Sequence, residues 1–257
     1  MAITSLSAII LRTSQNNYAG RANPSPIWTF STNRHISMKS IVKPASVKKI
    51  SFIAHAESQA NAGEPTTNDH SIELTERGWH DAKVFADAIT EKPDIILPAK
   101  YLRTWQTALP LIRKFPDVPV KLINLHEFTY LSPESCVNST SAQRNPLVDR
   151  YWQQAGPDDI NGPDAESFNQ FIKRLNSCIE MLENMAGQNL VIFTHGHVLR
   201  ALWQILGDHK FTSGREQMHH FYHQMGILPV PNLANFQAVY QKNKWQLIEP
   251  QLPTRCT

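Results

Sequence analysis

No stretch of the 257-residue sequence reaches ~18 consecutive apolar residues, which excludes a transmembrane helix. Cysteine is scarce. Cys136, Cys178 and Cys256 are scattered and odd in number, and they fit neither a disulfide framework nor a zinc-ligand spacing. Acidic residues are missing from the first 50 positions, which hold three Arg and four Lys. The rest of the chain carries 18 basic against 22 acidic residues. The basic balance of the whole chain is therefore a property of its leader, and the folded body gives no case for nucleic-acid binding.

What is present suffices for one sizeable core, at 41% hydrophobic residues. Residues 1–47 are rich in Ser, Thr, Asn and Arg, include Pro24, Pro26 and Pro44, and show no sustained period, which predicts an unpacked leader. The apolar stretch Ser5–Leu11 is short and lacks a basic n-region, so a secretory signal is not expected. Three readings of the leader stand: an organellar transit peptide, an export leader of the type III effector kind, or upstream sequence ahead of a start at Met38. The expected division is a leader at 1–47, one domain at 48–250 with a cytoplasmic location, and a tail at 251–257.

The domain is organised around Lys48–Gly63, KKISFIAHAESQANAG. Ile50, Phe52 and Ile53 predict a buried strand, with Lys48 and Lys49 leading in from solvent. The strand delivers His55 at its carboxyl end, where open α/β sheets place reactive groups. A second apolar run, Asn189–Thr194, ends the same way in His195 and Gly196. Two strands of one design predict two imidazoles above one sheet edge.

Between them the pattern alternates. Thr75 is a plausible N-cap for a helix whose apolar face is Val84, Phe85, Ala88 and Ile89. Ile95–Leu97 reads as a short buried strand. Arg103 falls in the first turn of the next helix, where free amides and a guanidinium together suit an anion. Val118–Ile123 reads as an edge strand leading to Glu127, whose apolar neighbours predict a raised pKa. A helix is expected over Ala142–Gln154, and the Glu127–Trp152 region is expected to cover the pocket and select substrate. Asp164 is expected to cap a long helix, Ala165–Met185, with a core stripe of Phe168, Phe171, Ile172, Leu175, Ile179 and Leu182 and a stop at Gly187. Val198–Leu206 predicts another helix, and the segments around Gln241–Lys244 predict a terminal hairpin. His219, His220 and His223 include an i,i+4 pair, but no acid or cysteine of suitable spacing accompanies it, so no metal is expected there.

In this order, His55, Glu57, Asn61, the Leu74-Thr75 helix start, Arg103-Thr104-Trp105-Gln106-Thr107-Ala108, Glu127, Thr194, His195 and Gly196 resemble the histidine phosphatase superfamily, which is phosphoglycerate mutase-like. The resemblance covers about Lys48 to Pro250 and departs at two positions of the first motif. Ala54 stands where the family has Arg, and Ala56 where it has Gly. It implies a three-layer α/β/α sandwich with a mostly parallel central sheet. It also implies phosphomonoester hydrolysis through a phosphohistidine on His55, with His195, Arg103 and Asn61 holding phosphate and Glu127 as the acid. No cofactor or metal is implied. The partner would be a small phosphorylated substrate or inorganic phosphate. The missing Arg implies attenuated activity, or a catalytically inactive phosphate-binding protein. The Glu127 segment looks like a phosphatase branch and lacks the Trp-Glu-Gly of the mutases.

Overall fold

Three near-continuous apolar runs form the parallel half of a five-stranded mixed sheet. They are β1 (Lys48–Ala54), β2 (Ile95–Pro98) and β3 (Asn189–Thr194), and the sheet order is β2-β3-β1-β4-β5. β4 (Asn235–Gln241) and β5 (Lys244–Gln251) extend it as an antiparallel hairpin, with Lys242 and Asn243 both at positive φ in the turn. The computed structural model describes residues 47–207, 211, 213–227 and 229–251. The expectations for the leader before residue 47 and for 252–257 lie outside the described residues.

Strand alternation splits the apolar side chains between two cores. Ile50, Phe52, Leu97, Leu190 and Ile192 face one cluster, filled by α4 (Phe168–Asn184) and α5 (Gly196–Gly207). Ile53, Ile96, Val191 and Phe193 face the other, filled by α1 (Glu76–Ala88) and α2 (Leu102–Lys114). Helices on both faces of the mixed sheet make the three-layer α/β/α architecture that the resemblance implies. The stripe of α4 is buried throughout, from Phe168 to Leu182. α3 (Ser141–Gln154) and α6 (Arg215–Ile227) complete the helices, with Trp152 of α3 stacked on Tyr222 of α6.

Several local expectations are corrected. Lys48 does not lead in from solvent. It is buried, and its Nζ donates to the carbonyls of Leu182, Glu183 and Met185, closing the carboxyl end of α4. The buried face of α1 is Gly78, Ala82 and Ala86, while Val84 is exposed and Phe85 and Ile89 only flank the core. The cause is a close approach. A Cβ at Gly78 would stand 2.0 Å from the Glu57 carbonyl oxygen, so the helix lies too near the chain for large residues at the contact.

Asp164 is not the cap of α4. It sits at φ 58° ahead of the helix, and Ser167 caps with Gln170 in a reciprocal box. The residues between them are held extended because Glu166 pairs with Thr129 and Arg174. Val118–Ile123 runs alongside β2 but pairs only by isolated bridges, Ile96 to Val120 and Ala99 to Ile123. Pro119 in its middle has no amide proton to give a ladder.

Candidate active site

The site lies at the carboxyl ends of β1 and β3. Ala54 pairs with Thr194, the His55 N–H donates to the Thr194 carbonyl at 2.9 Å, and the rings of His55 and His195 meet edge to face at 5.3 Å between centroids. His55 Nδ1 lies 2.8 Å from the Ala56 carbonyl. A carbonyl only accepts, so Nδ1 carries the proton and Nε2 is left with a lone pair. Arg103 Nε donates to that Nε2 at 3.3 Å. Burial, helped by the Arg103 charge, pushes His55 down to about 4, which keeps its ring neutral near pH 7.

Arg103 is presented by its own motif. Thr107 Oγ1 donates to the Arg103 carbonyl and accepts from the Ala56 N–H, tying α2 to the turn after β1. Gln106 Oε1 accepts from the Leu74 N–H, tying α2 to the segment before α1. The guanidinium is almost fully buried and donates to the Asp69 carbonyl at 2.7 Å. His195 is wholly buried with both ring nitrogens unpartnered, and burial holds it well below its ordinary pKa. Two unpartnered nitrogens beside a buried guanidinium are an arrangement that an anion with several oxygens would satisfy.

Glu127 also reaches the group. Thr194 Oγ1 donates to the Leu125 carbonyl, and Arg174 donates to the Asn124 and His126 carbonyls, which fixes the loop that carries the acid. Its Oε1 accepts from the Phe128 N–H at 2.9 Å. The expectation of a raised pKa is overturned. Burial does push the carboxyl up, but His197, His195 and the Phe128 N–H outweigh it and hold Glu127 well below the usual carboxylate range.

Asn61 is brought only halfway. It is exposed, and its Oδ1 accepts from the N–H and Oγ of Ser58, closing the turn after the first motif. Its NH2 end alone remains for a ligand. Glu57 of the same motif faces α1, accepting from Thr75 Oγ1 at 2.9 Å. Ala54 is buried on the same sheet face as Phe52, in the apolar cluster that includes Phe128.

Sequence reasoning missed Tyr101 and His197. The Tyr101 ring is buried, stacks edge to face on His195 at 5.3 Å, packs on His70 and His126, and carries the Arg103 guanidinium 5.1 Å from its centroid. Its place two residues before Arg103 was the available signal. His197, two residues after His195, stands against Glu127. His219, His220 and His223 lie exposed on α6, away from this group. Among the described residues no group of three or more His, Cys, Asp or Glu comes together as a metal site, and no helix is long and apolar enough to cross a membrane.

The fold has counterparts. An α-ribazole-5'-P phosphatase structure from Escherichia coli, described as putative, is 20% identical with a TM-score of 0.61, covering 78% of this chain and 94% of that one. A phosphoserine phosphatase from Entamoeba histolytica, solved with 3-phosphoglyceric acid, is 18% identical with a TM-score of 0.60, covering 80% and 98%. A mycobacterial glucosyl-3-phosphoglycerate phosphatase is 18% identical with a TM-score of 0.57, covering 78% and 97%. No curated protein matched the chain. The family model of the histidine phosphatase superfamily, branch 1, matches residues 50–230, and the chain belongs to that superfamily.

Proposed function

We propose that the protein hydrolyses phosphomonoesters through a phosphohistidine on His55. The observation that carries this reading is the state of the His55 ring. Nδ1 is turned to a carbonyl, Nε2 is free of a proton, and the nearest donor to Nε2 is a buried guanidinium. A neutral imidazole lone pair aimed at the place where an anion would be held is what nucleophilic attack on phosphorus needs.

In the proposed first step the Nε2 lone pair attacks phosphorus and the P–O ester bond breaks, its electron pair going to the leaving oxygen. Arg103 turns from Nε2 to the phosphoryl oxygens, and His195 donates to another of them. Both supply charge or hydrogen bonds where the transition state spreads negative charge. The Asn61 NH2 group, left free by the Ser58 contacts, would add a donor to these oxygens. Glu127 gives the leaving oxygen its proton, then takes one from the water that attacks the phosphohistidine. The substrate supports this exchange, because a phosphate dianion beside Glu127 raises the carboxyl pKa from its low resting position. The likeness to phosphatase structures supports hydrolysis of a small phosphorylated substrate, and nothing in the scheme calls on a metal or cofactor.

Ala54 gives the second reading its footing. With no guanidinium beside His55 on β1, the protein would bind phosphate without turnover. The test is p-nitrophenyl phosphate hydrolysis by the chain and by His55→Ala. Turnover that His55→Ala abolishes establishes the enzyme. Vanadate binding with no turnover in either establishes the phosphate-binding protein.

A further inference from the structure

The resting Glu127 is an anion, yet the reaction above asks it for a proton. The geometry around the carboxylate indicates where that proton is kept. His197, the second residue of α5, sets Nδ1 3.3 Å from Glu127 Oε1, and its backbone N–H donates to Oε2 at 3.4 Å. One residue thus holds both oxygens. Its ring is met edge-on by Tyr130 at 5.8 Å and at a tilt by Phe221 of α6 at 6.1 Å. Both side chains of the pair are 22% exposed, but His197 Nδ1 itself is shielded from solvent and makes no hydrogen bond, with Glu127 Oε1 in ion-pair range of it.

The other charged and titratable groups facing Glu127 can be set aside. His55 and His195 stand at the strand ends, Arg103 on α2, Arg200 on α5, and His126 and Tyr130 on the acid's own loop. Burial pushes His55 to about 4, His126 to about 3 and His195 well below its ordinary value, so none of them keeps a proton near neutral pH. Arginine does not give up its proton. Tyrosine Tyr130 is pushed above the working range by burial.

We infer that His197 is a positioning residue that shares one proton with Glu127, supplies it to the leaving oxygen through the carboxyl, and regains it through Glu127 from the attacking water. The inference rests on the phosphatase reading. In the first half-reaction the one proton on His197 Nδ1 passes to the Glu127 carboxylate and from the carboxyl to the departing alkoxide, leaving Glu127 a carboxylate and His197 neutral. In the second half-reaction water gives a proton to Glu127 as its oxygen bonds to phosphorus, the P–N bond breaks with its electron pair returning to His55 Nε2, and the pair regains its proton. A carboxylate and an imidazole within ion-pair distance are coupled, so removing one changes how readily the other gives up its proton.

The test compares His197→Gln with the parent on two substrates. An alkyl phosphate, glycerol phosphate, has a leaving oxygen that needs an acid. p-Nitrophenyl phosphate leaves as a stabilised anion and needs much less. The expected result is a loss of about tenfold or more in kcat/KM on glycerol phosphate, a smaller loss on p-nitrophenyl phosphate, and an alkaline limb moved to lower pH. Equal losses on both substrates with an unmoved limb would overturn the inference, since a merely structural role affects both alike. If the parent and His55→Ala turn over neither substrate, the phosphatase reading fails, and the pair is tested without activity. The Glu127 carboxyl carbon, followed by NMR, titrates at higher pH in His197→Gln than in the parent if the two share a proton site. An unmoved midpoint overturns the pair.

Discussion

Ala54 and Thr194 are Cα partners in the parallel register of β1 and β3. That single pairing assembles the site. Each strand ends at this point and each is followed by a histidine, so the two rings are brought to 5.3 Å by strand pairing alone. The Thr194 hydroxyl then donates to Leu125 at 2.7 Å and positions the loop of Glu127. A slip of one residue would turn every side chain of β1 to the other face and separate the pair.

Arg174 is the second support of the acid loop. It pairs with Glu166, both side chains being largely buried, and its Nη1 donates to the Asn124 and His126 carbonyls at 3.0 and 3.1 Å. Arg174→Ala leaves the Glu166 carboxylate buried without its partner, which typically costs about 3 kcal/mol or more. The expected outcome is a lowered unfolding midpoint together with a kcat loss larger than any change in KM, since in the proposed scheme the displaced Glu127 serves the transition state. Urea denaturation and steady-state kinetics of the same variant check both parts.

Gly78 tests the contact between α1 and the first motif. A methyl group there would meet the Glu57 carbonyl oxygen at 2.0 Å, and backbone cannot swing aside as a side chain does. Gly78→Ala is therefore expected to lower Tm by several degrees despite the better helix propensity of alanine. Because Glu57 lies two residues past His55, activity should fall as well. A variant as stable as the parent by thermal unfolding would show that α1 docks elsewhere.

The fold was readable where pattern and burial coincide. β1, β2, β3 and the α4 stripe are long apolar runs with one structural solution, and the two histidines follow from where the first and last of these strands end. Arg103 was readable because Gln106 and Thr107, which seat it, belong to the same short motif. The misreadings share a physical cause, which is that the deciding partner is distant in sequence. Lys48 is buried by carbonyls 134 or more residues away. The face of α1 is chosen by a carbonyl in another element. The Glu127 carboxyl is lowered by His197, 70 residues later.

The buried histidines predict how the protein responds to acid. His55 has a folded pKa of about 4 against an ordinary 6.5, so below pH 6.5 the unfolded chain binds a proton that the folded site refuses. Its contribution to stability is intact above pH 6.5 and is lost as pH falls toward 4, by about 3 kcal/mol in all. His126 and His195 are shifted in the same direction and steepen the loss. Denaturant midpoints should fall between pH 7 and pH 5, and His55→Asn should flatten that dependence. In kinetics the acid limb assigned to His55 should lie near pH 4, because the nucleophile stays neutral down to that point.

On the proposed phosphatase reading, Ala54 sets how much catalysis the site retains. Its methyl lies at the last position of β1, on the face shared with Phe52 and one residue before His55, so a longer side chain there starts beside the nucleophile. Arg103, His195 and Glu127 already converge on that ring. A guanidinium at position 54 would add a planar fork for two phosphoryl oxygens, which an ammonium does not reproduce. Removing one such donor from an enzyme typically costs about 10²–10³ in rate, so Ala54→Arg is expected to raise p-nitrophenyl phosphate turnover by about 10²-fold, and Ala54→Lys by less. The gain carries a structural cost. Position 54 is 4% exposed within a packed cluster, and inserting a long side chain is expected to destabilise the fold by about 1–3 kcal/mol, visible as a lower Tm. The two readouts separate the explanations. Higher turnover with lower Tm means the site is complete but for one cation. Lower Tm with unchanged turnover, in a variant that still binds vanadate, means the remaining groups no longer act on phosphorus, and the phosphate-binding reading then stands.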